Sequence, residues 1–107
     1  MRAENYDGKP ISLHKVRRVI LERIGIIDAC HWSACEREAI ITSAVDRKHK
    51  RGSKHYSGQA IDLRSGDLDA AQIANLAELL INALGDEFDV VVESTHIHIE
   101  YDPPAVI

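Results

Sequence analysis

The sequence predicts an α+β domain, a small antiparallel sheet covered by two main helices. Three observations carry this prediction. Apolar residues recur at three- and four-residue steps in two stretches, β-rich runs occupy three others, and the order reads helix, strand, strand, helix, hairpin. At 107 residues the chain suits one domain over 1–107, able to bury roughly two thirds of its unfolded surface around one core.

The first helix is expected to begin after Ser12, a suitable N-cap. Leu13, Val16, Ile20, Ile24 and Ile27 fall on one face, interleaved with Lys15, Arg17, Arg18, Glu22 and Arg23, and Gly25 lies near the end. Two strands follow, AIITSAV at Ala39 to Val45 and QAIDLR at Gln59 to Arg64. The second helix is capped by Asp69, carries Ile73, Leu76, Ala77, Leu80 and Leu84 on one face, and stops at Gly85. The final stretch, FDVVVESTHIHIEY at Phe88 to Tyr101, reads as a hairpin turning at Ser94 and Thr95.

Composition narrows the function classes. Apolar residues at 45% and charged residues at 28% describe an ordinary globular chain, not a disordered one. A net charge of -4 argues against a general nucleic-acid binder, whose affinity rests on clustered Lys and Arg. The local run RKHKRGSKH, Arg47 to His55, reads either as a solvated loop or as a cationic rim that attracts an anionic substrate. No apolar run approaches the roughly 20 residues of a membrane span, and MRAENYDGKP lacks the apolar stretch of a signal peptide, so synthesis in the cytoplasm is expected. Cys30 and Cys35, in CHWSAC, are spaced wider than CxxC and read as reduced, partly buried thiols, with a disulfide or a metal site including His31 as the alternatives.

Strand parity then locates the chemistry. In Gln59 to Arg64, Ile61 and Leu63 take one face and Ala60, Asp62 and Arg64 the other; in HIHIEY, Ile97, Ile99 and Tyr101 oppose His96, His98 and Glu100. A turn at Ser94 and Thr95 sets Glu93 across from His96, on the same face. His55 precedes its strand by a few residues, and Gly58 can supply the backbone angle that folds the loop back over the sheet. Two histidines and a carboxylate, with a fourth position open to water, form the shell of a catalytic zinc; structural zinc sites more often use four protein ligands with several cysteines. The ordinary alternative is a solvated polar face.

The residues also carry a family resemblance. SKHYSGQAID contains SxHxxGxAxD, as Ser53, His55, Gly58, Ala60 and Asp62, and HIH follows after a helix. Together these resemble the D-alanyl-D-alanine carboxypeptidase and dipeptidase family, which includes phage L-alanyl-D-glutamate endopeptidases and is structurally related to the Hedgehog signalling domain. ITSAVDR extends the likeness, so that it spans about Ile40 to Asp102. The resemblance implies an α+β fold whose antiparallel sheet bears Zn2+, with His55, Asp62 and His98 as metal ligands and Glu93 as general base. His96 would stabilise an oxyanion or position water, and Arg47 and Ser53 would contact substrate. Several relatives place the acid three residues before the ligand histidine, which pairs Glu93 with His96 as the alternative third ligand.

The implied activity is a zinc metallopeptidase that hydrolyses peptidoglycan stem peptides, as a D-Ala-D-Ala carboxypeptidase or an L-Ala-D-Glu endopeptidase, and that reaches the cell wall after phage lysis or within a phage particle. The expected partner is a peptidoglycan peptide, with no nucleic acid and no membrane span. A non-catalytic, zinc-stabilised wall- or protein-binding module is the competing reading, since Hedgehog-like relatives keep the shell for recognition.

Overall fold

A computed structural model describes residues 1–5, 7–44 and 57–103 of the chain. Its elements are β1 (Arg2–Ala3), α1 (Arg18–Leu21), α2 (Ile24–Cys35), β2 (Ile40–Ser43), β3 (Ala60–Arg64), α3 (Ala70–Leu84), β4 (Phe88–Val92) and β5 (His96–Tyr101). The strands form one sheet in the order β1-β2-β3-β5-β4, so the α+β class stands. All pairings are antiparallel except β1 with β2, which is parallel. That two-residue strand was not foreseen, because a segment so short has no periodicity to read.

The first helix begins later than Ser12 and is broken. The Ser12 hydroxyl accepts from the backbone N–H of His14, closing a local turn in place of a helix cap. Arg17 is extended, and its backbone N–H donates to the Gly58 carbonyl at 2.9 Å, so helical bonding starts only at Arg18. A turn at Glu22 and Arg23 then separates α1 from α2, and Gly25 falls in the first turn of α2 instead of near a helix end. The apolar face is nonetheless the expected one: Val16, Ile20 and Ile27 are buried, with Leu13 and Ile24 packed against them.

Helix α2 runs on through CHWSAC because Ile27, His31 and Cys35, spaced by four, form its buried stripe. His31 Nδ1 lies 2.7 Å from the Arg37 carbonyl, which ties the residues after the left-handed Glu36 back to the helix. Cys30 and Cys35 are free thiols, half-buried and buried, and burial raises the pKa of both.

Helix α3 follows its sequence signals closely. Asp69 accepts from the Gln72 N–H at 2.8 Å while the Gln72 side chain accepts from the Asp69 N–H at 3.0 Å, a reciprocal capping box, and Gly85 ends the helix at φ 80°. Leu76, Leu80 and Leu84 are buried against α2 and β4. Opposite them Ile61, Leu63, Ile97 and Ile99 are fully buried, which puts the core between the helices and one face of the sheet. Among the described residues, no helix is long and apolar enough to cross a membrane.

Candidate metal centre

The other face of the sheet gathers the polar residues, and pairing register arranges them in rows. Asp62 pairs with His98, which pairs with Val91; Arg64 pairs with His96; Ala60 pairs with Glu100, which pairs with Asp89. Directly paired residues share a face, so His96, His98, Glu100, Asp62 and Arg64 stand together. The chain does turn at Ser94 and Thr95, and the Glu93 N–H donates to the His96 carbonyl at 2.9 Å. Glu93 therefore joins the row of His96 and Arg64, with its exposed side chain at the mouth of the turn.

An irregularity between β2 and β3 adds Ser43 to this face. Ile41 pairs with Leu63, but Ser43 then pairs with Asp62, so one extra residue lies on the β2 side. Such a bulge bends a strand and redirects its side chains. The buried end of β2 thereby closes one flank of Asp62.

Side-chain contacts within the face are close. His98 Nδ1 lies 2.9 Å from Asp62 Oδ1, and His98 Nε2 lies 2.9 Å from Glu100 Oε1. The bond to Asp62, opposed by burial and reinforced by Glu100, raises the pKa of His98, because an imidazolium donates to both carboxylates. His96 is oriented differently: Thr95 Oγ1 lies 3.1 Å from its Nδ1, and its Nε2 points toward Asp62 Oδ2 at 3.8 Å. Glu100 leads on to Asp89 and Asp102, whose ligand atoms with its own lie within 4.8 Å of one another, a carboxylate trio of a kind that can hold a metal. Desolvation raises the pKa of Asp89, aided by a hydrogen bond and repulsion from Asp102.

Gly58 sets the approach to this face. Its φ is 73°, and a Cβ at this position would overlap the Lys15 carbonyl oxygen. Arg17 holds the same segment twice, through its N–H to the Gly58 carbonyl and its Nε–H to the Ser57 carbonyl at 3.1 Å. The chain enters β3 locked against the segment before α1.

Of the residues singled out from the sequence, Asp62, Glu93, His96 and His98 share the face; Arg47, Ser53 and His55 lie outside the described residues. Asp62 Oδ1 and His98 Nδ1 could serve as two zinc ligands once the proton between them is lost. Two tetrahedral ligands, each roughly 2.0–2.1 Å from the ion, sit about 3.3 Å apart, somewhat wider than the 2.9 Å hydrogen bond here. Glu100 on the second ring nitrogen matches the carboxylate partner that metal-binding histidines commonly keep. Sequence reasoning placed Glu100 on this face without a role; its alternation two residues beyond His98 was the available signal.

An α+β domain with a carboxylate and histidines on the open face of its sheet is compatible with the Hedgehog-like zinc peptidase fold. The chain belongs to the family of the Hedgehog amino-terminal signalling domain, whose family model matches residues 1–101. That family groups with Hedgehog-like zinc peptidases by fold. Comparison with curated proteins and with solved structures finds no match.

Proposed function

We propose that this chain is a zinc-dependent metallopeptidase that hydrolyses peptide bonds in peptidoglycan stem peptides, of the D-Ala-D-Ala carboxypeptidase or L-Ala-D-Glu endopeptidase type, delivered to the wall by phage lysis or a phage particle. The observation that carries this reading is the adjacency of Asp62 and His98 at 2.9 Å, with Glu93 one row away on the same open face. His55, Asp62 and His98 would hold the zinc. When bound, the ion polarises the scissile carbonyl and lowers the pKa of water to about 7. Glu93, exposed at the turn, takes the proton from the attacking water and returns it to the leaving amine. His96, whose Nδ1 lies 3.1 Å from Thr95 Oγ1, would turn Nε2 toward the developing oxyanion. Glu100 holds the His98 ring in register through Nε2. Arg47 and Ser53 contact the substrate. The whole chain, 1–107, acts as one domain.

The assay is a digest of purified cell walls by zinc-loaded protein, read by mass spectrometry for new peptide termini. Full zinc occupancy with no new termini sinks the reading. The match to a signalling-domain family favours one alternative, a zinc-stabilised binding module without turnover. Glu93→Gln separates the two: a peptidase loses turnover and keeps zinc, whereas a binding module never turns over and binds its ligand unchanged.

A further inference from the structure

We propose that the free edge of β4 binds an extended segment of a partner protein that carries Lys or Arg at two positions four residues apart, with apolar or β-branched residues between them. β4 ends one side of the sheet, and among the described residues no strand lies beyond it; the opposite edge, β1, is two residues long. The Glu93 N–H donates to the His96 carbonyl and the Asp102 N–H to the Glu87 carbonyl, so residues 87, 89, 91 and 93 turn their backbone groups toward β5. Val90 and Val92 therefore point N–H and C=O outward. The Phe88 carbonyl joins them, while its N–H is taken by the Gly85 carbonyl. An extended chain laid along this edge continues the ladder.

The side chains specify the occupant. Asp89, Val91 and Glu93 line the open face of this edge, with the two carboxylates about 14 Å apart along the strand. A second copy of β4 is a poor match. Antiparallel pairing centred on Val91 sets Asp89 against Glu93 at both ends, and pairing centred on Val90 sets Glu87 against Glu93. Opposed like charges destabilise a strand pair, and charged edges guard a sheet against self-pairing. Lys or Arg at those two positions reverses the sign. Two described cations near this edge are engaged elsewhere: Arg23 lies over the Phe88 ring on the helix side, and His98 is held between Asp62 and Glu100. Val91 and Val92, 42% and 49% exposed, gain cover from the residues between the two cations. The docking requires neither metal nor turnover.

The probe is the peptide acetyl-Thr-Lys-Val-Thr-Val-Lys-Thr-amide, titrated into isotope-labelled protein and read by amide shifts. It is compared with the same peptide carrying Glu in place of both Lys, and with one N-methylated at both valines. The lysine peptide shifts the amides of Phe88 to Glu93, more weakly as salt rises. The glutamate peptide binds at least about tenfold more weakly through repulsion, and the N-methylated one likewise through loss of two ladder bonds. Asp89→Asn weakens the lysine peptide about two- to fivefold. Val92→Pro deletes an outward N–H, spares the bonds to β5 and weakens it about fivefold. The N-methylated peptide tests the ladder without altering the protein. Equal binding of the lysine and N-methylated peptides, equal binding of the lysine and glutamate peptides, or shifts centred away from β4 overturn the proposal. So does a dimer through β4, seen by sedimentation, that excludes the peptide.

Discussion

Replacing Glu100 by glutamine probes the candidate centre without touching Asp62 or His98. Glutamine keeps an oxygen that accepts from His98 Nε2, so the 2.9 Å hydrogen bond can persist while its charge is lost. A hydrogen bond to a charged group contributes about 1.5–3 kcal/mol and a neutral one about 0.5–1.5, so the difference of about 1–1.5 kcal/mol weakens the zinc Kd about five- to tenfold. Glu100→Ala removes the acceptor altogether and weakens it about 10–100-fold, the range for such outer partners. The variants should be compared in alkaline buffer, because loss of the carboxylate also lowers the His98 pKa and eases proton competition near neutrality. Competition with a chromophoric chelator reads the Kd, and urea unfolding of the metal-free protein runs alongside. Since Glu100 also crowds Asp89 and Asp102, glutamine relieves repulsion there and offsets part of what the metal-free fold loses at His98. An unchanged zinc Kd in both variants would refute the orienting role.

Three further outcomes are expected. Gly58→Ala forces a Cβ toward the Lys15 carbonyl at a positive φ; the backbone conformation alone costs about 1–2 kcal/mol, so thermal unfolding should drop by more than about 5 °C, and an unchanged Tm would contradict the close approach. Leu80→Ala, at a fully buried position on α3, should cost about 2–5 kcal/mol by urea denaturation, and a loss well below that range would mean that the α3 packing is looser than described. In chelated protein the raised His98 pKa stabilises the fold below the unfolded value near 6.5, and this contribution is lost as pH rises through the folded pKa. Zinc displaces that proton, so its Kd weakens as pH falls; a zinc affinity flat across the histidine range would argue against His98 as ligand.

Local signals were the legible ones. Alternation in HIHIEY and QAIDLR gave the buried and open faces, the two-residue turn at Ser94 and Thr95 set Glu93 opposite His96, and the Asp69 and Gly85 ends of α3 rest on side-chain and glycine chemistry within a few residues. Long-range bonds decided what the periodicity missed. The Arg17 N–H is taken by Gly58 and withheld from a helix, which no pattern around Ser12 can show. CHWSAC reads poorly as helix because its buried stripe mixes Ile27 with His31 and Cys35. In the candidate centre, parity put Asp62 and His98 on one face, but which nitrogen meets which carboxylate depends on rotamers and on the register of β3 with β5.

The position of these residues in the sheet divides the centre mechanically. Asp62 and His98 lie on β3 and β5, interior strands paired with neighbours on both sides, whereas Glu93 leaves the edge strand β4 at an exposed turn. Interior strands open to hydrogen exchange only near the free energy of global unfolding, and exposed turns open at far lower cost. Asp62 and His98 therefore share the lifetime of the whole fold, while Glu93 moves on the faster clock of a hairpin tip. If the chain is a peptidase, fraying at that tip would silence turnover without displacing Asp62 or His98, and metal content alone would be a poor proxy for an active molecule.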